Sequence, residues 1–260
     1  MKIGGIIDIS TKDIPGKASM VIFTMGCNFR CNFCHNKHLL KLENGKDISI
    51  EKLLNIIKSN QLVNSISISG GEPTLQKDLI ILLRRIKEIK ENETRKYISI
   101  DTNGSNPEYL KNLIPYLDRV ALDIKAPLHQ TLYEKITQSK IDINKIKKSY
   151  SILNSQKDLD FEIRTTYVKN LIQDKDIHEI INFLINNDFK DTFVLQQYQF
   201  SDGVGVEYKE KYQKPEHFEL INILKPYSKE RESSPLSFDI FIRDDVVGYL
   251  RLEDVLKMII

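Results

Sequence analysis

Along this chain, short runs in which apolar and polar residues alternate every second position are separated by longer stretches with helical spacing. Residues 65–69 illustrate the first kind. In an extended strand Ile66 and Ile68 fall on one face, and Ser65, Ser67 and Ser69 on the other. Read this way, strands are predicted over residues 20–25, 64–69, 96–101, 119–125, 160–167 and 192–198. Helices are predicted near 50–60, 77–93, 107–117, 144–155 and 174–187, with a shorter one near 129–136. Strand and helix taking turns predicts parallel strands with right-handed crossovers, hence an α/β fold. Six such units suggest a partial (β/α)6 TIM-like barrel over residues 1–200. A short C-terminal extension, 201–260, follows as a barrel cap or partner contact, with an extra strand at 237–243 and a last helix at 253–260.

The strand faces say more than their number. Ile98 and Ile100 oppose Ser99 and Asp101; Val120, Leu122 and Ile124 oppose Ala121, Asp123 and Lys125; Glu162, Arg164 and Thr166 share one face. Helices must cover the apolar faces of parallel strands, so the polar faces should point inward. A closed eight-stranded barrel fills its interior with branched apolar side chains, where unpaired charges would be very costly. An open sheet with one solvated face suits antiparallel strands better than parallel ones. The expectation is an open barrel whose polar lumen holds a charged ligand.

Composition narrows the setting. Lys and Arg number 38 against 36 Asp and Glu, a formal net charge of +2, which gives no bulk electrostatic case for nucleic acid or membrane binding. The opening Met1 to Asp8 meets an acid too early for a signal-peptide core, and no apolar run approaches a membrane span. A cytoplasmic protein with reduced thiols is expected. The Lys/Glu-rich stretch 207–217 reads as a solvated helix face or a connector.

Those thiols are Cys27, Cys31 and Cys34, the only cysteines, spaced C-x3-C-x2-C. Four cysteines usually supply a cubane iron–sulfur cluster; three leave one iron open to a substrate. The competing site is zinc, with His35 or His38 as fourth ligand. Zinc sites usually draw on two separated ligand pairs, and no second pair exists here. A disulfide would strand one cysteine. The cluster is the better account.

Downstream, Gly70-Gly71-Glu72-Pro73 closes the second strand. With the cysteine spacing, this resembles the radical S-adenosylmethionine (SAM) enzymes. The match extends through Asp13-Ile14-Pro15-Gly16-Lys17, Cys34-His35-Asn36, Asp101-Thr102-Asn103-Gly104, Asp123-Ile124-Lys125, Arg164-Thr165-Thr166 and Val194-Leu195-Gln196-Gln197. It is most similar to the activating enzymes of glycyl radical enzymes, in the branch of anaerobic ribonucleoside-triphosphate reductase activating proteins. That resemblance implies a fold of the radical SAM type. It implies Cys27, Cys31 and Cys34 on a [4Fe–4S] cluster, and SAM contacts from Phe33, Gly70, Gly71, Glu72, Asp123, Lys125 and Arg164. It also carries Asp101, Thr102 and Asp123 to a monovalent cation. Each has a plainer role: Glu72 bonding nearby amides, Asp123 and Lys125 an internal ion pair, Arg164 a partner of Glu162, Asn103-Gly104 a turn, His35 a loop cap.

The activity so implied is reductive cleavage of SAM followed by hydrogen abstraction from a glycine of a partner glycyl radical enzyme. A reductant such as flavodoxin or ferredoxin is implied with it. No side chain beyond the cluster and SAM is expected to be catalytic. A small-molecule radical SAM enzyme, such as a 7-carboxy-7-deazaguanine synthase, is the nearest alternative, although that family typically follows its third cysteine with Asp-Thr rather than His-Asn. An iron–sulfur sensor or electron carrier is the non-enzymatic one.

Overall fold

A computed structural model describes residues 1–91, 94–201, 210–228 and 236–259. In chain order it contains β1 (Lys2–Ile14), β2 (Lys17–Thr24), β3 (Lys46–Asp47), α1 (Ile50–Ser59), β4 (Ser65–Gly70) and α2 (Leu79–Lys87). Next come β5 (Lys90–Glu91), β6 (Thr94–Arg95), β7 (Tyr97–Thr102), α3 (Pro107–Leu113), β8 (Arg119–Asp123), α4 (Gln130–Thr137) and α5 (Ile143–Asn154). The remainder is β9 (Asp160–Tyr167), α6 (Asp174–Asn186), β10 (Thr192–Gln197), α7 (His217–Leu224), β11 (Asp239–Asp244), β12 (Gly248–Arg251) and α8 (Leu252–Lys257).

These elements group into two units. The first comprises Met1–Arg30, Asn36–Leu122 and Asn144–Asp160. Its strands run in the order β8-β7-β4-β2-β1-β3. Pairs β2/β4, β4/β7 and β7/β8 are parallel, as predicted, while β1 pairs antiparallel with β2 and β3. β1 went unrecognised because only Ile3 and Ile14 of its residues are buried, so it lacks the signature of a core strand. α1 is capped by Ser49, whose hydroxyl accepts the Lys52 N–H at 3.2 Å, and it buries Leu53, Leu54 and Ile57. α2 buries Leu79, Leu82, Leu83 and Ile86 at spacings of three and four, each contributing about 1.5–3 kcal/mol. It ends at Lys87, not at 93 as predicted. The polar run beyond Ile89 has no apolar face to offer a helix, and β5 pairs with β6 instead.

Both faces of β4 are buried: Ser65 and Ser67 as well as Ile66 and Ile68. Parallel register aligns Ser67 with Ser99 and Ile68 with Ile100. The isoleucine face is core, and on the serine face Ser69 donates to Asp101 at 3.1 Å.

The second unit comprises Cys31–His35, Asp123–Ile143 and Phe161–Ile260. Its strand order is β9-β10-β11-β12, parallel except for the final antiparallel pair. The strand and helix predicted in the tail are β11 and α8. β12 and α7 were not foreseen. The 207–217 stretch lies outside the described residues up to 209; beyond it, Lys169 and Gln213 form an isolated bridge and α7 begins at His217. α6 opens with a capping box between Gln173 and Asp176. No helix among the described residues is long and apolar enough to cross a membrane.

Candidate functional site

In the first unit the strand ends assemble around Gly70-Gly71-Glu72. The Gly71 N–H donates to the Thr24 carbonyl at 2.8 Å and the Glu72 N–H to the Gly26 carbonyl at 2.7 Å. The start of the cysteine loop is thereby stitched to the end of β4. Glycine is obligatory in this seam. A Cβ on Gly71 would stand 2.1 Å from the Gly26 oxygen, and Gly70, at φ +110°, would set one 2.5 Å from Thr24 backbone atoms.

Glu72 is buried, and its carboxylate accepts four hydrogen bonds. Oε1 takes the Thr74 N–H at 3.1 Å, the Thr74 hydroxyl at 2.6 Å and the Thr102 hydroxyl at 2.7 Å; Oε2 takes the Asn103 N–H at 2.7 Å. Burial pushes its carboxyl up, against the pull of these hydrogen bonds. Its oxygens are committed to tying the end of β4 to the end of β7. The Thr102 hydroxyl is occupied too, donating to Glu72 and accepting the Gly104 N–H at 3.1 Å.

Asp101 accepts the Ser69 hydroxyl at 3.1 Å and lies 3.8 Å from Arg119. Arg119, buried, also donates to Ser99 at 2.8 Å. Arg119 belongs to no motif, although it shares the strand parity of Ala121 and Asp123. Asn103, read as a turn residue, sits beside Cys27: its amide nitrogen is 4.0 Å from the sulfur. Arg30 donates to the Cys27 and Phe29 carbonyls.

In the second unit, Cys31 and Phe33 are buried and Cys34 is half-buried, its N–H on the Cys31 carbonyl at 3.1 Å. Asp123 is flanked by two cations, Lys125 Nζ at 2.9 Å and Arg164 Nε at 3.0 Å. Burial alone would raise the Asp123 carboxyl, but Arg164 and Lys125 outweigh it and hold it at about 2. Burial pulls Lys125 down, yet the Asp123 and Cys31 anions leave it raised. Arg164 is 3.9 Å from Glu162, which accepts the Tyr249 hydroxyl at 3.1 Å.

Segments after β10 hold the Cys31–His35 loop. The His35 ring packs against Tyr198 at 5.6 Å and donates to the Gln199 carbonyl; burial holds the imidazole below its usual value despite that bond. The Asn32 amide donates to the Tyr212 hydroxyl at 3.1 Å. The tail, whose role the sequence left open, therefore contacts the cysteine loop. Among the described residues the buried Tyr198 hydroxyl has no hydrogen-bond partner.

The Radical SAM superfamily profile matches residues 21–184, well over half the chain, and spans the cysteines, the Gly-Gly-Glu-Pro turn, Asp123, Lys125 and Arg164. The chain belongs to the radical SAM superfamily. Two Methanocaldococcus jannaschii proteins, both provisionally named glycyl-radical enzyme activating enzymes, are similar to it. One is 35% identical over 228 residues, 86% of this chain and 90% of its own length. The other is 30% identical over 191 residues, covering 71% and 69%. A provisionally named GTP 3′,8-cyclase of Methanococcus aeolicus is 34% identical over 142 residues, 53% of this chain and 46% of that protein. Among solved structures, Streptococcus suis SuiB bound to SAM aligns with a TM-score of 0.63 at 23% identity, covering 86% of this chain and 50% of SuiB. TYW1 with a lysine-pyruvate adduct aligns at 0.60 and 18% identity, covering 91% and 80%. The chain thus spans half the length of SuiB. These likenesses show the fold, the α/β fold of radical SAM enzymes.

This radical SAM protein is an enzyme, and its family's cofactors are a [4Fe–4S] cluster and SAM. The zinc site and the non-enzymatic sensor or carrier fall with that membership. The donor set suits an iron–sulfur cluster: three thiols as soft ligands within one short loop, with peptide and amide N–H groups at one of the sulfurs. Among the described residues, no three His, Cys, Asp or Glu side chains are gathered into a group that could hold a metal ion.

Proposed function

We propose that this radical SAM enzyme activates a glycyl radical enzyme, with Cys27, Cys31 and Cys34 as the ligands of its [4Fe–4S] cluster. The observation that carries this reading is the 35% identity, over 86% of this chain and 90% of the relative, to a protein provisionally named for that activity. When bound, the cluster held by Cys27, Cys31 and Cys34 would pass one electron from an external reductant to SAM and so supply the radical chemistry that takes hydrogen from a glycine. The protein's part is to bind, orient and exclude water.

Its residues divide that work. The Gly70-Gly71 backbone, kept bare of side chains, offers polar groups to the SAM ammonium. Lys125 and Arg164 present positive charge to the SAM carboxylate, with Asp123 fixing both cations. Phe33, buried just before the third cysteine, would lie near the adenine, as the resemblance implies. Glu72 acts indirectly, by locking the turn that carries the glycines. A monovalent cation would have to compete with Arg119 at Asp101, and with Lys125 and Arg164 at Asp123. Anaerobic ribonucleoside-triphosphate reductase is the partner that the resemblance names, a flavodoxin or ferredoxin the electron donor, and residues 201–260 a barrel cap or the part of the chain that meets the partner.

The test is anaerobic reconstitution with iron and sulfide, reduction, and assay of 5′-deoxyadenosine from SAM. Wild-type protein should form it, Cys31→Ala should not, and full retention in that variant would sink the ligand assignment. Mixing with anaerobic ribonucleoside-triphosphate reductase should then give the EPR signal of a glycyl radical. The similarity to a GTP 3′,8-cyclase over about half this chain favours a second reading, a nucleotide as hydrogen donor. Turnover of a nucleotide without any glycyl radical would establish it.

A further inference from the structure

Among the groups that meet the sulfur of Cys27 are two N–H donors. The Phe29 peptide N–H lies 3.4 Å from it, the closer contact and one provided by the loop's own backbone. The other is the Asn103 side-chain amide, from β7's end, at 4.0 Å, the outer reach of an N–H···S contact. Asn103 is held from several directions. Its backbone N–H is fixed on Glu72 at 2.7 Å. Its Oδ1 accepts the Ser105 N–H at 3.0 Å, a group that can only donate, so the amide cannot be turned over and Nδ2 must face the loop. One Nδ2 hydrogen goes to Asn28 Oδ1 at 3.0 Å, and Asn28 is braced by Ser105 at 2.8 Å. The second hydrogen is left for Cys27. Asn103 is 6% exposed, so water competes little for it.

An N–H aimed at a ligating thiolate withdraws charge from it, and such bonds are among the features that set iron–sulfur potentials. We infer that Asn103 is a positioning residue that makes the cluster easier to reduce by hydrogen-bonding the Cys27 thiolate. The inference rests on Cys27 being a cluster ligand, as proposed above. It also gives the buried Glu72 carboxylate a second task, since the Asn103 backbone hangs from it.

The experiment is an EPR-monitored redox titration of reconstituted wild-type protein, Asn103→Ala, Asn103→Ser and Asn28→Ala. The bond forms in both redox states and only its extra strength toward the more negative reduced cluster counts, so its loss should lower the ratio of reduced to oxidised cluster about five-fold at the wild-type midpoint. That drop is expected for Asn103→Ala and for Asn103→Ser, whose shorter hydroxyl can still accept from Ser105 but falls short of the sulfur. Asn28→Ala disturbs the bracing of the loop yet keeps the Asn103 donor, and should stay within two-fold of wild type. A ratio unchanged in both Asn103 variants at equal iron content overturns the inference and leaves the proposed function standing. So does a fall in Asn28→Ala as large as theirs, which would make the effect one of loop packing. Should Asn103→Ala lose its cluster, Asn103→Ser decides. A wild-type protein that assembles no cluster overturns the proposed function itself, and this inference with it.

Discussion

Glu72→Gln separates two roles for the turn after β4. The change keeps the size of the side chain, removes its charge and replaces one oxygen by an NH2 group. If the nitrogen takes the place of Oε2 it faces the Asn103 N–H; if it takes the place of Oε1 it faces the Thr74 N–H. Hydroxyls of Thr74 and Thr102 can rotate to accept, but a peptide N–H cannot. Either orientation strands one buried donor, at a cost of about 1–3 kcal/mol. Relief of the burial that pushes the carboxyl up offsets part of this. The net loss is about 1.5 kcal/mol, which in a domain of this size lowers Tm by roughly 3–6 °C. Calorimetry of the unreconstituted protein reads that value. Equilibrium dialysis of SAM on the reconstituted protein, well below both melting points, reads the other role. A structural Glu72 predicts the lower Tm with SAM affinity within about two-fold of wild type. An unchanged Tm with a ten-fold loss of SAM affinity would refute the reasoning and make Glu72 a direct ligand.

Asp123 supplies an acid-side prediction. Its carboxyl is depressed from 3.8 to about 2, so its stabilisation is complete above the unfolded value and drains away as pH falls through the folded one. That amounts to about 2 kcal/mol. Urea midpoints measured from pH 6 to pH 2 should fall less steeply for Asp123→Asn than for wild type; parallel acid limbs would show that the Arg164 and Lys125 pairing does not act on stability. Tyr198→Phe removes a buried hydroxyl that has no hydrogen-bond partner among the described residues, and should stabilise the unliganded protein by about 1 kcal/mol. A lower Tm in that variant would mean the hydroxyl has a partner after all.

The helices illustrate how far sequence reading reaches. α1, α5 and α6 were placed within a residue or two, because an amphipathic stripe is a property of neighbouring positions. α2 was overextended, since Ile89 prolongs its apolar spacing while the chain beyond turns into β5 and β6. β1 was missed for the opposite reason, being a mostly exposed strand held by pairing rather than by burial. The same contrast runs through the site. Cys27, Cys31, Cys34, Gly70 and Gly71 stood out as motif residues. Arg119, Tyr198 and Tyr212 carry no motif, and the pattern around Asn103 marks only a turn.

The sequence by itself determined the family chemistry and the six alternating strands, because ligand spacing and strand parity are written within a few residues of one another. Tertiary structure decided which polar groups meet: Glu72 with Thr102 and Asn103, Asn103 with Cys27, Asn32 with Tyr212. Those partners lie tens to well over a hundred residues apart in the chain. Strand order, and the crossover helices that set it, bring them together, and no local pattern encodes either.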